Sequence, residues 1–250
     1  MRNNLKFNIL LTHISVYAIY ATLFGAGLVS LHYLIADFKD PALASEVELV
    51  APSPIKALYN KAVKSYAMIK YHHKERGGTG SGVYVRPYLL VTNYHVIQRA
   101  FEDKQTVSIT VNGITIVGEI VEAIPSVDLA LVYTREYKGI VSTFAPQFPE
   151  VGDRVISIGS SYGYRATLGV GYVTGIAIDT DGRIATLVFS VSTGLMPGNS
   201  GGGVYNEQGQ IVGIAFAAIQ NDSILGFVIP GPIVESFVER YMLRNKAGQF

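Results

Sequence analysis

No cysteine occurs in the 250 residues of this chain, which excludes disulfide frameworks, thiolate nucleophiles and zinc–thiolate centres. Charge is scarce as well. Asp, Glu, Lys and Arg make up 16% of the chain, and the 20 basic side chains nearly cancel the 19 acidic ones. A net charge of +1 without any basic run leaves no electrostatic footprint for nucleic acid. Apolar residues are abundant at 49%, enough for a large core. With 26 glycines and 16 tyrosines, the composition suits short strands joined by tight turns.

Charge is missing altogether from Phe7 through Ala36. A bilayer core needs ~20 helical residues to cross, and Ile14 to Ile35 meets that length. A buried helix of this length would ordinarily carry a polar stripe. A cleaved signal peptide is the rival reading, because Ala42-Leu43-Ala44 has the small-x-small form of a cleavage site. The apolar run is about twice an ordinary signal core, however, and Asp37, Lys39, Asp40 and Pro41 separate it from that site. An uncleaved single-pass transmembrane helix is therefore expected. Arg2 and Lys6 precede it, while Asp37, Asp40, Glu46 and Glu48 outnumber Lys39 beyond it. The positive-inside bias places the N-terminus in the cytoplasm and the rest of the chain on the periplasmic or extracytoplasmic side.

Three regions follow: a cytoplasmic tip and anchor (1–36), a tether with a short helix (37–65) and a β-rich domain (66–250). Pro41, Pro52 and Pro54 interrupt the tether. Ser53 before Pro54 is a helix start, a hydroxyl cap followed by proline at the first helical position. About a dozen short β-rich runs follow. They include Val107–Val111 and Ile114–Val117, joined by the hairpin pair Asn112-Gly113. Their number and spacing predict an all-β sandwich or barrel. An amphipathic C-terminal helix is expected over Pro232 to Leu243, with Ile233, Phe237, Val238 and Tyr241 inward.

Chemistry concentrates in three short stretches. Pro197-Gly198-Asn199-Ser200-Gly201-Gly202-Gly203 surrounds one serine with glycines, which permit a tight turn and close approach of a carbonyl to main-chain N–H groups. It also fits the G-x-S-x-G elbow of α/β-hydrolases, but those enzymes place their histidine after the serine. The five histidines here are at 13, 32, 72, 73 and 95. The elbow reading fails. The order His95, Asp128, Ser200 matches that of chymotrypsin-type enzymes. His95 sits in Val91-Thr92-Asn93-Tyr94-His95-Val96, at the end of the strand expected over Tyr88–Thr92, and Asp128 opens the run Asp128–Leu131. His72-His73 lacks a third ligand, and Gly77 to Gly82 lacks a P-loop lysine. No metal and no cofactor is expected.

From about Gly80 to Tyr241 the chain resembles the HtrA (Deg) branch of trypsin-like serine proteases. The resemblance rests on Gly80-Ser81-Gly82-Val83, Thr92-Asn93-Tyr94-His95-Val96, Asp128-Leu129-Ala130-Leu131, Pro197-Gly198-Asn199-Ser200-Gly201-Gly202 and Gly226-Phe227-Val228-Ile229-Pro230. It implies a trypsin-like double β-barrel. His95 would be the base, Asp128 its orienting acid and Ser200 the nucleophile, with the Gly198 and Ser200 N–H groups as oxyanion hole. Together with the anchor read from residues 7–36, the expectation is a membrane-anchored endopeptidase acting on unfolded or flexible protein segments, since the scissile strand must extend along Ile214 to Ala217, and relatives form homo-oligomers. Gly194, Leu195, Ile214, Ala215 and Phe216 would line the substrate pocket. Two departures stand out. HtrA proteases usually carry PDZ domains after the protease, and none is expected in the few residues beyond Pro230. They also commonly have Asp where this chain has Thr193, beside Ser192. The alternative from another class is a catalytically silent, membrane-tethered binding protein with a protease-like fold.

Overall fold

The computed structural model describes residues 53–73, 76–136, 138–178, 187–219 and 222–246. The predicted transmembrane segment lies outside them. Among the described residues no helix is long and apolar enough to cross a membrane.

Two closed six-stranded antiparallel barrels form the domain from Ser53 onward. The first contains β1 (Tyr66–His73), β2 (Arg76–Arg86), β3 (Leu89–Thr92), β4 (Val107–Val111), β5 (Ile114–Ile124) and β6 (Leu129–Thr134), in the order β1-β2-β3-β6-β5-β4. The second contains β7 (Arg154–Gly159), β8 (Thr167–Ile178), β9 (Leu187–Val191), β10 (Gly203–Tyr205), β11 (Ile211–Ile219) and β12 (Asp222–Pro230), in the order β10-β11-β12-β9-β8-β7. Closure removes the unpaired edges that an open sheet would expose. The Asn112-Gly113 turn behaves as its sequence predicts. Both residues take positive φ (49° and 83°), as the tight hairpin type requires, and β4 pairs β5 outward from it.

Each barrel has a private core, Ile69, Leu90, Ile109 and Val132 in the first and Val155, Phe189, Val191 and Val228 in the second. A third cluster spans both, uniting Met68, Val83, Val91 and Leu131 with Ile156, Ile158, Ile214 and Ile229. Two helices cover this seam. Helix α1 (Pro54–Ala62) starts at Ser53, whose Oγ accepts from the Lys56 N–H at 3.2 Å, and inserts Leu58 and Ala62. A second helix, α2 (Tyr94–Glu102), belongs to the first barrel, and the C-terminal helix α3 (Gly231–Lys246) returns to the seam with Val234, Phe237 and Val238.

Helix α2 corrects the expectation that His95 ends a strand. The strand stops at Thr92, Asn93 takes the extended N-cap conformation, and His95 lies in the first helical turn. The period of burial explains the switch: Ile97 and Ala100 are fully buried at a spacing of three, while Gln98 and Arg99 face water.

Candidate active site

His95 and Asp128 come together because two elements of the first barrel end side by side. A 3-10 turn, Pro125–Val127, delivers Asp128 in the left-handed conformation (φ 52°, ψ 41°) just before β6. Few non-glycine residues adopt this region, Asp and Asn being the best tolerated. Four contacts hold it there. The main-chain oxygen of Asp128 accepts from Asn93 Nδ2 (3.0 Å) and from the Tyr94 N–H (3.1 Å). Its Oδ1 accepts from the His95 N–H at 2.9 Å, and its Oδ2 lies 2.7 Å from His95 Nδ1. The carboxylate is 10% exposed and the imidazole 45%. One end of the ring is thus fixed against a nearly buried carboxylate while the imidazole as a whole stays almost half exposed.

Ser200 arrives from the second barrel on a loop zipped to β11. The Gly201 N–H donates to the Ala215 carbonyl (2.8 Å) and the Ala215 N–H to that of Gly202 (2.9 Å). Gly201 has φ +83°, and a Cβ there would strike the Ser81 carbonyl oxygen, so only glycine fits. The Ser200 carbonyl accepts from the Ser81 N–H of β2 at 2.8 Å. The hydroxyl donates to the Phe216 carbonyl at 3.3 Å, and among the described hydrogen bonds none joins Ser200 to His95. A catalytic serine often sits loosely in a free enzyme, and one turn about its χ1 redirects the hydroxyl.

The peptides around Ser200 are oriented by their carbonyls. The Pro197 oxygen accepts from the Tyr162 N–H (2.7 Å) and the Asn199 oxygen from the Gly202 N–H (2.8 Å). In a trans peptide the N–H points opposite to the C=O, so the N–H groups of Gly198 and Ser200 are turned away from those partners. Neither has an acceptor among the described residues, whereas the Asn199 N–H is used on Met196 (2.9 Å). Asn199 itself is buried, and its Oδ1 accepts from Ser161 Oγ at 2.7 Å. A neutral hydroxyl, not an ammonium group, anchors the residue before the serine.

The residues expected to line the substrate pocket lie on β11 and on the loop that leads to Pro197. Gly194 has φ +67°, and Leu195, 2% exposed, packs onto Gly226 of β12. Ile214 and Ala215, expected on the pocket wall, are core residues, and the main chain of Ala215 is occupied by Gly201 and Gly202. Of the three wall residues, Phe216 is the one whose carbonyl faces Ser200. All three side chains are buried, Ile214 and Phe216 in the core shared by the two barrels and Ala215 in that of the second. Ser192, beside Thr193, uses its Oγ to accept from the Tyr172 N–H at 3.0 Å, a neutral tie to β8.

Sequence reasoning missed Ser81, Ser160, Ser161 and Asn93 as parts of this site. Ser81 and Asn93 lie inside motifs that carried the resemblance, yet their partners are distant in sequence. Among the described residues no group of three or more His, Asp or Glu converges as a metal site would.

The profile of the trypsin-like peptidase domain matches residues 80–214. The chain is 30% identical over 168 residues to the serine protease Do-like HtrB of Bacillus subtilis (strain 168), covering 63% of this chain and 36% of that protein. It is 28% identical over 223 residues to the serine protease PepD of Mycobacterium tuberculosis, covering 78% and 48%. In three dimensions it superposes on the serine endoprotease from Yersinia pestis with a TM-score of 0.65 at 22% identity, covering 76% of this chain and 67% of that one. The chain spans a third to a half of the length of these curated relatives. The matched profile reaches from the glycines of β2 to Ile214 and takes in the loops of His95, Asp128 and Ser200; the chain belongs to the trypsin-like peptidase domain family.

Proposed function

We propose that the chain is a serine endopeptidase in which Ser200 is the nucleophile, His95 the general base and Asp128 the group that orients and charges-balances the base. The observation that carries this reading is the 2.7 Å contact between Asp128 Oδ2 and His95 Nδ1, beside a serine whose flanking N–H groups are left without partners. With Nδ1–H given to Asp128, His95 Nε2 is the nitrogen free to take the Ser200 proton. The serine oxygen attacks a peptide carbonyl, and the developing oxyanion is held by the N–H groups of Gly198 and Ser200, each such donor worth ~3 kcal/mol of barrier. His95 then passes its proton to the leaving amine, and water deacylates the enzyme by the same route. The relatives named as serine proteases support the reaction class. The test is labelling by a serine-reactive fluorophosphonate, expected for the wild-type protein and absent without the Ser200 hydroxyl.

Substrate choice follows from the pocket. No carboxylate occurs from Phe189 through Ser200, and Leu195 fills the space over Gly226. A Lys or Arg side chain placed there would be an unpaired buried cation, at a cost of several kcal/mol. Small and medium aliphatic residues fit instead. Cleavage profiling on a denatured protein mixture is expected to show cuts after Val, Ala, Ile or Leu outnumbering cuts after Lys or Arg by at least ~100-fold. Dominant cutting after basic residues overturns this assignment. The peptide is extended, pairing its backbone with β11 from Phe216 onward.

Residues 7–36 anchor this domain in a membrane with the N-terminus in the cytoplasm, a reading supported by the absence of charge over that span and the charge asymmetry around it. A C-terminal tag on the full chain is expected to be digested by protease added to intact cells or spheroplasts. A tag protected with the cytosol refutes that topology.

A further inference from the structure

A buried chain of hydroxyls joins the two barrels directly behind the serine loop. Tyr66 of β1, Ser81 of β2 and Ser160, which follows β7, are 5%, 0% and 0% exposed. Tyr66 OH lies 2.5 Å from Ser160 Oγ, and Ser160 Oγ donates to the Gly80 carbonyl at 3.2 Å. The Ser160 N–H donates to Ser81 Oγ at 2.9 Å, and Ser81 Oγ donates to the Gly198 carbonyl at 2.8 Å. Counting hydrogens fixes the direction. Ser81 has one hydroxyl proton, and the carbonyl of Gly198 is nearer than Ser160 Oγ, which is 3.2 Å away. Ser160 can therefore spend its own proton on Gly80 while accepting from Tyr66. Burial pushes the Tyr66 hydroxyl above its ordinary pKa, so it stays a donor.

Ser81 grips the loop twice. Its hydroxyl holds the Gly198 carbonyl and its N–H holds the Ser200 carbonyl, on either side of the Asn199 peptide. Its own carbonyl accepts from Thr92 Oγ1 at 2.7 Å, three residues before His95. We propose that Ser81 is a positioning residue for the oxyanion hole: a residue of the first barrel that pins the Gly198–Asn199 and Ser200–Gly201 peptides, the neighbours in chain of the two peptides that carry the Gly198 and Ser200 N–H groups, and so fixes where the loop holds those donors. This rests on the reading of those two groups as oxyanion donors.

Without the hydroxyl, the Gly198 carbonyl keeps only the 3.4 Å contact from the Ser160 N–H, and that N–H loses its 2.9 Å acceptor. Ser81 and Ser160 are at zero exposure, and the space left by one hydroxyl is too small to hold a water for the Ser160 N–H. The loop must shift toward Ser160, and displacements of about 1 Å at a reacting centre cost about 100-fold in rate. Substrate held along β11 from Phe216 onward meets a segment that β12 pairs and Ser81 does not contact.

The test is Ser81→Ala in the full chain, assayed for peptide hydrolysis, thermal unfolding, and affinity for a peptide boronate against that for the matching product peptide. The expected result is a kcat lower by roughly 10- to 100-fold with KM within about twofold. Boronate affinity falls with kcat, and product affinity holds. Ser81→Thr, which keeps a hydroxyl, is expected to recover several-fold over Ser81→Ala. A folded Ser81→Ala protein with wild-type kcat, or a loss expressed wholly in KM, overturns the proposal. If Ser81→Ala does not fold, Ser81→Cys, whose thiol fills the site but donates weakly, is read by the same criteria. Wild-type protein that hydrolyses no peptide would sink the protease reading instead, so the two failures are distinguishable.

Discussion

Ser200→Ala is expected to lower peptide hydrolysis by roughly four to six orders of magnitude and to abolish fluorophosphonate labelling. The size of the effect follows from what the hydroxyl does: without it no acyl-enzyme forms, and what remains is water attack on a substrate still held by oxyanion donors. Stability is expected to move little. The half-buried side chain contributes one 3.3 Å bond to the Phe216 carbonyl, a bond worth about 1 kcal/mol or less, and its loss opens no core cavity. Binding of an extended peptide should persist, because Phe216 and the free edge of β11 are unchanged. The wild-type chain should react without proteolytic trimming. Enzymes that need a freed N-terminal ammonium pair it with a carboxylate before the serine, whereas here Asn199 is held by Ser161. Hydrolysis by Ser200→Ala at the wild-type rate would refute the assignment of the nucleophile, and with it the whole mechanism.

How far the sequence carries such a prediction differs between elements. Local signals were legible. Asn112-Gly113 announces its hairpin because few other pairs accept positive φ twice, and Ser53-Pro54 announces α1 because a cap and a pre-set φ act within one turn. The order of His95, Asp128 and Ser200 was legible too, since chain order survives folding. Helix α2 was not, because Thr92-Asn93-Tyr94-His95 carries no strong helix signal until the spacing of Ile97 and Ala100 is weighed. The absence of carboxylates from Phe189 through Ser200 is a fact of sequence, but that the main chain of Ala215 is committed to Gly201 and Gly202 depends on pairing between segments. The grip of Ser81 on Gly198 is more remote still, two residues 117 positions apart meeting across the barrel seam. No periodicity encodes a contact of that kind.

Asp128→Asn is expected to lower kcat by about 10⁴-fold while KM and unfolding temperature stay near wild type. The hydrogen bonds around Asp128 dictate how the amide must sit. One carboxylate oxygen accepts from the main-chain N–H of His95 at 2.9 Å, and that hydrogen cannot move away. The asparagine oxygen takes this place, so its NH₂ faces His95 Nδ1 across the former 2.7 Å contact. Nδ1 must then accept, and the ring proton moves to Nε2, the nitrogen that has to receive the Ser200 proton. The base is blocked by its own hydrogen. Flipping the amide would restore the tautomer but set two N–H groups against each other, at a cost of about 1–3 kcal/mol. That cost leaves between about a sixth and less than about a hundredth of molecules so arranged, which accounts for roughly one to two orders of magnitude. The rest comes from charge. Even a correctly protonated ring would lack the buried carboxylate that stabilises its imidazolium form as the serine proton arrives. Folding is spared because Asn has the same shape, and the ties from Asn93 and Tyr94 reach the main-chain oxygen of residue 128, which the substitution leaves in place. Measured kcat within tenfold of wild type would show that Asp128 does not set the His95 tautomer, and the 2.7 Å contact would then be structural only.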